Sequence, residues 1–337
     1  MCMKGPVTIK TIAKELGLSV SAVSKALNDY SDINPETKAR VAQKAGELGY
    51  SPNILARSLV KKTSNFVGVV IRDITTVYGE MFTALNNTAR RNGINLILYD
   101  SGRDPEQERL CIQNLLDSMA MGIIIAPISS DVSNIRKMCK GRVPVVYMGG
   151  RVTDERENFV ATDGDISTGI ALNYLIGLGH RKIALISDWN GVNAGGGKVG
   201  AYRSKMQYLD LPELIYAEPG DNSDLVTLGY QQAKRAIESR QGITAMFAVK
   251  DMMAIGAMNA VKEAGLHVPD DISVIGSDGI NASALPMVDL TTVSQPREEM
   301  AEEIIRILLR HAEDPSLPAE HYLVHPLLHE RGSCRRI

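Results

Sequence analysis

Cysteine is scarce in this chain, and its four copies (Cys2, Cys111, Cys139 and Cys334) stand far apart. That scatter offers neither a metal-ligand set nor a paired redox motif, so free cytosolic thiols are expected. Long apolar runs are missing as well: none approaches the ~20 residues that cross a bilayer. The opening MCMKGPVTIKTIAKE has no apolar segment of the kind a secretory leader carries. These absences point to a cytoplasmic protein with no membrane partner. A nucleophile–base–acid set and a paired-carboxylate arrangement are also lacking, which argues against an enzyme. His180, in the turn LGHRK before an apolar run, reads as structural. His267, His311, His321, His325 and His329 show no metal spacing, because Pro326 interrupts the four-residue recurrence and HYLVHP reads as a strand. GGGKVG (195–200) fits a phosphate-binding glycine pattern only formally. A long loop separates it from the preceding strand, and Val199 stands where a P-loop needs Ser or Thr. No cofactor and no metal are expected.

What is present is an ordinary globular composition, 44 % apolar and 23 % charged over 337 residues, long enough for two or three domains. The net charge is −2 but unevenly spread. Residues 1–62 carry ten Lys/Arg against five Asp/Glu, and the remainder 27 against 34. A small basic head on an acidic body suggests a head that meets a polyanion.

In the head, Ile9, Ile12, Ala13 and Leu16 recur at helical spacing behind Thr8 as N-cap. Gly17-Leu18 breaks that helix and Ser19 caps a second one. There Val23, Ala26 and Leu27 face inward, while Val20, Ser21, Ser24 and Lys25 face outward. A third helix opens at NPET with Asn34 as cap and Pro35 in the first turn; Val41, Ala42, Ala45 and Leu48 form its stripe, and Gly49 stops it. Two short helices joined by a tight glycine turn and closed by a third make a helix-turn-helix. Its second helix presents to a major groove a donor in Lys25 for guanine, a hydroxyl in Ser21 and a thymine-methyl contact in Val20. The next stretch, YSPNILARSLVKKTSN, is too short to be a stable helix alone and should fold only against DNA and a partner chain.

The order TIKTIAKELGLSVSAVSKALN, NPETKARVAQKAGELGYSPNILARSL and a strand FVGVVI closely resembles the lactose-repressor (LacI/GalR) family of bacterial transcription regulators. The match runs along essentially the whole chain and is most specific over 8–60. The resemblance implies a hinge helix at 51–64 whose Leu59 wedges into the minor groove. The DNA-contacting set it implies is Thr8, Ser19, Val20, Ser21, Ser24, Lys25, Asn28, Tyr50, Asn53, Ala56, Arg57 and Leu59.

From residue 65 onward apolar runs (FVGVVI, NLILYD, GIIIAPI, VPVVYM, KIALIS, AMFAVK, DISVIGSD) alternate with helical stretches such as 105–117, 165–178, 224–240, 251–264 and 296–310. That alternation indicates an α/β fold with two doubly wound parallel-sheet lobes, ligands lodging at strand C-terminal ends. It resembles the periplasmic-binding-protein-like core of the family. The expected divisions are 1–50 for the DNA-binding head, 51–64 for the hinge and linker, 65–162 with 292–324 for the first lobe, and 163–291 with 325–337 for the second.

The resemblance also carries a pocket over, residue by residue. Asp278 in GSDG matches a carboxylate that takes ligand hydroxyls, and Tyr78 an aromatic at the start of the first lobe's helix. Lys198 replaces a usual Arg, Lys250 replaces Asn beside Asp251, and Asn222 replaces an aromatic. The Asp expected after VPVV becomes Gly149 or Gly150. Trp189 and Asn193, in a loop that departs from the family pattern, are also expected to border the cleft. Two lysines there suggest an anionic sugar derivative, unless Lys250 pairs internally with Asp251 or Asp278. The chain thus reads as a homodimeric regulator, a repressor, binding a pseudo-palindromic double-stranded DNA operator under control of a sugar-like effector. The tail LLHERGSCRRI lacks a heptad for tetramers. A solute-binding protein without a DNA role, or an α/β enzyme using the cleft, are the rival classes.

Overall fold

The computed structural model describes residues 7–50, 66–150, 152–189, 197–219 and 224–337. The chain divides into two compact units, Met1–Ser64 and Asn65–Ile337.

In the first unit α1 (Ile9–Leu16), α2 (Val20–Leu27) and α3 (Pro35–Glu47) follow one another closely. Gly17 ends α1 at φ +64°, a left-handed turn that glycine takes without a Cβ penalty. Ser19 Oγ accepts the Ala22 N–H at 3.0 Å and Asn34 Oδ1 the Thr37 N–H at 2.7 Å, so α2 and α3 start on side-chain caps. Ile12, Val23 and Val41, one from each helix, are fully buried and are ringed by Ala13, Ala26 and Ala45. At roughly 1.5–3 kcal/mol for each large side chain, this small core leaves little margin for substitution. Ala42, expected in the α3 stripe, is exposed. Val41, Ala45 and Leu48 already fill the face that meets the other two helices.

The second unit runs β1 (Phe66–Ile71), α4 (Val77–Arg91), β2 (Asn95–Asp100), α5 (Pro105–Asp117), β3 (Gly122–Ile125), α6 (Ser133–Cys139), β4 (Val145–Gly149) and β5 (Asn158–Thr162). It continues through α7 (Gly164–Gly177), β6 (Ile183–Trp189), α8 (Gly197–Tyr208), β7 (Leu214–Pro219), α9 (Leu225–Glu238), β8 (Ala245–Ala248) and α10 (Asp251–Glu263). β9 (Ser273–Asp278), a 3₁₀ turn (Asn281–Ala284), β10 (Thr291–Ser294), α11 (Arg297–Glu313), β11 (His321–Val324) and β12 (Leu327–His329) complete it.

Two six-stranded sheets result, in the orders β11-β5-β4-β3-β1-β2 and β12-β10-β9-β8-β6-β7. The first is parallel throughout, and only β12 runs antiparallel in the second. Runs such as GIII in β3 and AMFA in β8 are buried along their whole length, as strands covered on both faces must be. The chain passes between the lobes three times, after Thr162, after Ser294 and after Val324.

One expected boundary moves. Residues 292–294 lie in β10, whose Thr291–Ser294 pairs in parallel with Ile275–Asp278, so the returning first-lobe segment starts beyond Ser294 rather than at 292. The tail is stitched to the second lobe through the Val274 N–H to the Ser333 carbonyl and the Ile337 N–H to the Leu178 carbonyl. His180 is buried beneath it, with Nδ1 2.9 Å from Thr244 Oγ1 and Nε2 3.1 Å from the Arg335 carbonyl. Burial lowers its pKa, which fits a neutral structural imidazole.

Candidate DNA-reading face and ligand cleft

On α2 the inward and outward faces separate as the pattern requires. Val23 and Ala26 are buried, whereas Val20 is 43 % exposed and Ser21 is open to solvent. A large apolar side chain kept in water at the start of a helix is suited to a base edge or methyl group. Lys25 pairs with Asp32, both exposed, a contact that water and a phosphate can readily replace. Ser19 is occupied as the cap of α2 and Thr8 lies exposed ahead of α1. The Ser24 carbonyl accepts the Asn28 side-chain amide at 2.8 Å, closing the end of α2. Tyr50 packs on the small core. Asn53, Ala56, Arg57 and Leu59 lie outside the described residues.

The cleft is built at the C-terminal ends of strands from both sheets. One chamber of about 510 Å³ is lined by Arg72 after β1, Gly149 of β4, Asp188 of β6, Lys250 after β8 and Asp278 of β9. A neighbouring chamber of about 540 Å³ shares Arg72, Gly149, Lys198 and Gln295 and adds Ser129, Ser130 and Gly164. Tyr78, second residue of α4, takes a hydrogen bond from Arg72 Nη2, and the guanidinium lies 4.9 Å from its ring centroid. Gly149 has φ +94° and faces that phenol: a Cβ there would lie 2.8 Å from Tyr78 Oη. Glycine at this position therefore lets the tyrosine close on the strand.

Asp278 is 8 % exposed, has φ +130°, and accepts a hydrogen bond from Gln295 Nε2 at 3.0 Å. A non-glycine residue at such a φ is strained backbone, of the kind that persists at ligand sites. Burial raises its pKa against the opposing pull of the Lys198 ammonium. Lys198, at the second position of α8, donates to the Val249 carbonyl at 2.6 Å and to Ser277 Oγ at 2.7 Å. Desolvation lowers its pKa while Asp278 works the other way.

Lys250 does pair internally, but with neither expected carboxylate: its partner is Asp188 on β6, 62 residues away. Burial pushes the Asp188 carboxyl up, and the Lys250 ammonium and its hydrogen bond bring the net shift down. Asp251, expected at the ligand, is not among the residues that line either chamber. It is fully buried and accepts the Ile280 N–H at 2.8 Å and the Thr292 hydroxyl at 2.5 Å. Its pKa is pushed up to about 7 by burial and then by the charge of Asp278. Trp189 ends β6 through its main chain. Asn193 and Asn222 lie outside the described residues.

Arg72, Asp73, Arg103, Asp188, Ser277 and Gln295 escaped the sequence reading, although each of Arg72, Asp188 and Gln295 stands at or just past the end of a strand. Behind the cleft, the first lobe reaches across to the second. Arg297 Nη1 donates to the carbonyls of Asp278 (3.2 Å) and Gly279 (2.9 Å), and its Nη2 lies 3.1 Å from Glu80 Oε2. Glu80 Oε1 accepts the Asn281 N–H at 2.8 Å.

Comparison with known proteins agrees with this architecture. Residues 8–53 match the bacterial regulatory proteins of the lacI family, and 172–334 match a periplasmic binding protein-like domain. The HTH-type transcriptional repressor PurR of Edwardsiella ictaluri (strain 93-146) is 31% identical over 333 residues, 97% of this chain and 96% of that protein. Catabolite control protein A of Priestia megaterium is 29% identical over 309 residues, 90% and 92% of the two chains. A solved structure of the Lac repressor bound to ONPG in the repressed state gives a TM-score of 0.86 at 25% identity, covering 97% of this chain and 99% of that one. A helix-turn-helix module and a two-lobed ligand-binding core thus define the class, a regulator that reads DNA. The chain belongs to the lacI family of bacterial regulatory proteins and is a DNA-binding transcription regulator.

Proposed function

We propose that this regulator is a repressor without enzymatic activity, holding a pseudo-palindromic operator as a homodimer, and that a hydroxyl-rich, sugar-like molecule in the cleft controls its grip. The observation that carries this reading is Asp278, a buried, strained carboxylate whose side chain faces the cleft while its carbonyl is held by Arg297 of the other lobe. A carboxylate is an acceptor for ligand hydroxyls, and Gln295, Ser129 and Ser130 provide further polar groups around the same space. A ligand bridging the two walls changes their relative stability, and linkage carries that change to DNA affinity. The outward face of α2 supports base reading by Val20, Ser21 and Lys25, with phosphate contacts supplying salt-dependent affinity.

Fluorescence anisotropy on genomic fragments selected by the full chain tests this. Affinity should fall steeply with salt, Ser21→Ala should relax base choice, and a cleft ligand should shift operator affinity by about 5–150-fold. Failure to retain any fragment would favour a solute-binding protein instead.

A further inference from the structure

Four cations and three carboxylates line the chamber beneath Tyr78. Lys250 is answered by Asp188, and Arg103 Nη2 lies 3.1 Å from Asp73 Oδ2. Lys198 is held by a carbonyl and a hydroxyl, with Asp278 supplying the charge that favours its ammonium. Arg72 has no such answer. Among the described residues its hydrogen-bond partner is the neutral Tyr78 hydroxyl, and no carboxylate comes within ion-pair distance. Its charge neighbours are Arg103, which repels it, and Asp188, Glu108 and Asp278, which attract it without pairing with it. Glu108 is itself engaged by the Ile128 N–H at 2.9 Å. The acids of the adjoining chamber, Asp163 and Asp165, stand at the start of α7, where Asp163 caps the helix and Asp165 is exposed.

We propose that Arg72 anchors an anionic group, a carboxylate or a phosphate, on the polyhydroxyl molecule whose hydroxyls Asp278 takes. This rests on the reading of the cleft as the ligand site and adds the ligand's charge and its orientation, with the acid toward the first lobe and hydroxyls toward the second. A guanidinium is planar, always charged and presents paired N–H groups that match both anions. Its contact with the Tyr78 ring and hydroxyl holds it at the chamber wall. A partly buried cation without a counter-ion from the protein is unfavourable, and an incoming anion offsets that penalty. The two cleft lysines carry no such preference, because both are already engaged within the second lobe.

The test uses the full chain, melted and titrated calorimetrically at constant ionic strength. The probes are sulfate against chloride, then gluconate, glucuronate and glucose 6-phosphate against neutral glucose. The parent should gain about 2 °C or more with at least one anionic probe and less with its neutral counterpart. Arg72→Met should weaken that probe roughly 30-fold or more, and Arg72→Lys should retain part of the affinity. Unliganded Arg72→Met should melt no lower than the parent, whereas an arginine needed by the fold would lower the melting temperature. The carboxylated and phosphorylated probes tell the two anion sources apart.

The proposal is overturned if no anionic probe stabilises the parent, or if Arg72→Met binds one within threefold of it. A neutral sugar binding parent and variant alike also overturns it, while leaving the cleft as a ligand site. If the anion binds through Arg72 but operator affinity stays constant at saturation, the anchor stands and the regulatory reading fails.

Discussion

The two lobes share a topology and treat charge differently. In the second lobe Lys250, Asp188, Lys198 and Asp251 are tied to one another, to backbone or to buried hydroxyls. In the first, among the described residues, Arg103 has one partly exposed carboxylate partner and Arg72 a phenol. The second lobe's polar groups hold its own strand ends in place, so altering them disturbs the fold. The first lobe's cations are held by fewer contacts among the described residues, which is the contrast the proposed anion anchor rests on.

Removing one member of the second lobe's ion pair breaks this contrast most severely. Asp188→Ala strands Lys250 in a site where its side chain is 27% exposed, and should lower the unfolding free energy by about 3 kcal/mol in urea titration. Asp188→Leu combined with Lys250→Met should restore stability to within about 1 kcal/mol of the parent, because no lone charge remains.

Next comes Asp251→Ala, which loses two buried hydrogen bonds and should cost about 2 kcal/mol. Its isostere, Asp251→Asn, tests the pH dependence. The carboxyl titrates near 7 in the fold and near its ordinary, lower value when unfolded. Protonation therefore favours the fold: the contribution is complete below about pH 4 and disappears as pH rises to about 7. The Asn variant should lose this fall in stability; an unchanged slope in melts across that window would assign it elsewhere.

Gly149→Ala should cost about 1–2 kcal/mol, since it adds a Cβ both at a positive φ and against Tyr78. A matching loss of cleft affinity would show that the tyrosine had been displaced. The smallest effect belongs to Arg103→Ala, whose side chain is 27% exposed beside Asp73. It should change the urea midpoint by less than about 1 kcal/mol equivalent. A large loss there would erase the difference between the walls.

Local features were the legible ones. Ser19, Asn34 and Gly17 act within four residues of their own helices, so caps and stops could be read directly. Apolar runs located the strands, and α5 spans Pro105–Asp117 as expected from 105–117. Strand membership was harder for Thr291–Ser294, because two buried threonines give no apolar run to mark the lobe. α8 carries a weak signal, because GKVGAYRSKMQY opens on glycine and mixes its polar and apolar positions around the helix.

The cleft was only half legible because its pairings are made across the sheets. Sequence adjacency suggested Asp251 for Lys250, yet Asp251 opens α10 and tucks its carboxylate under Ile280, while the ammonium crosses to β6. Arg72 went unnoticed although it directly follows FVGVVI, where the rule for strand C-terminal ends would have placed it in the crevice.

The grip of Arg297 and Glu80 on residues 278–281 gives Asp278 two roles, a side chain that lines the cleft and a carbonyl tethered to the opposite wall. That geometry is a bell-crank with its pivot at one α-carbon. Any ligand that draws the side chain inward would therefore load the bond that the same residue's carbonyl makes to the opposite wall.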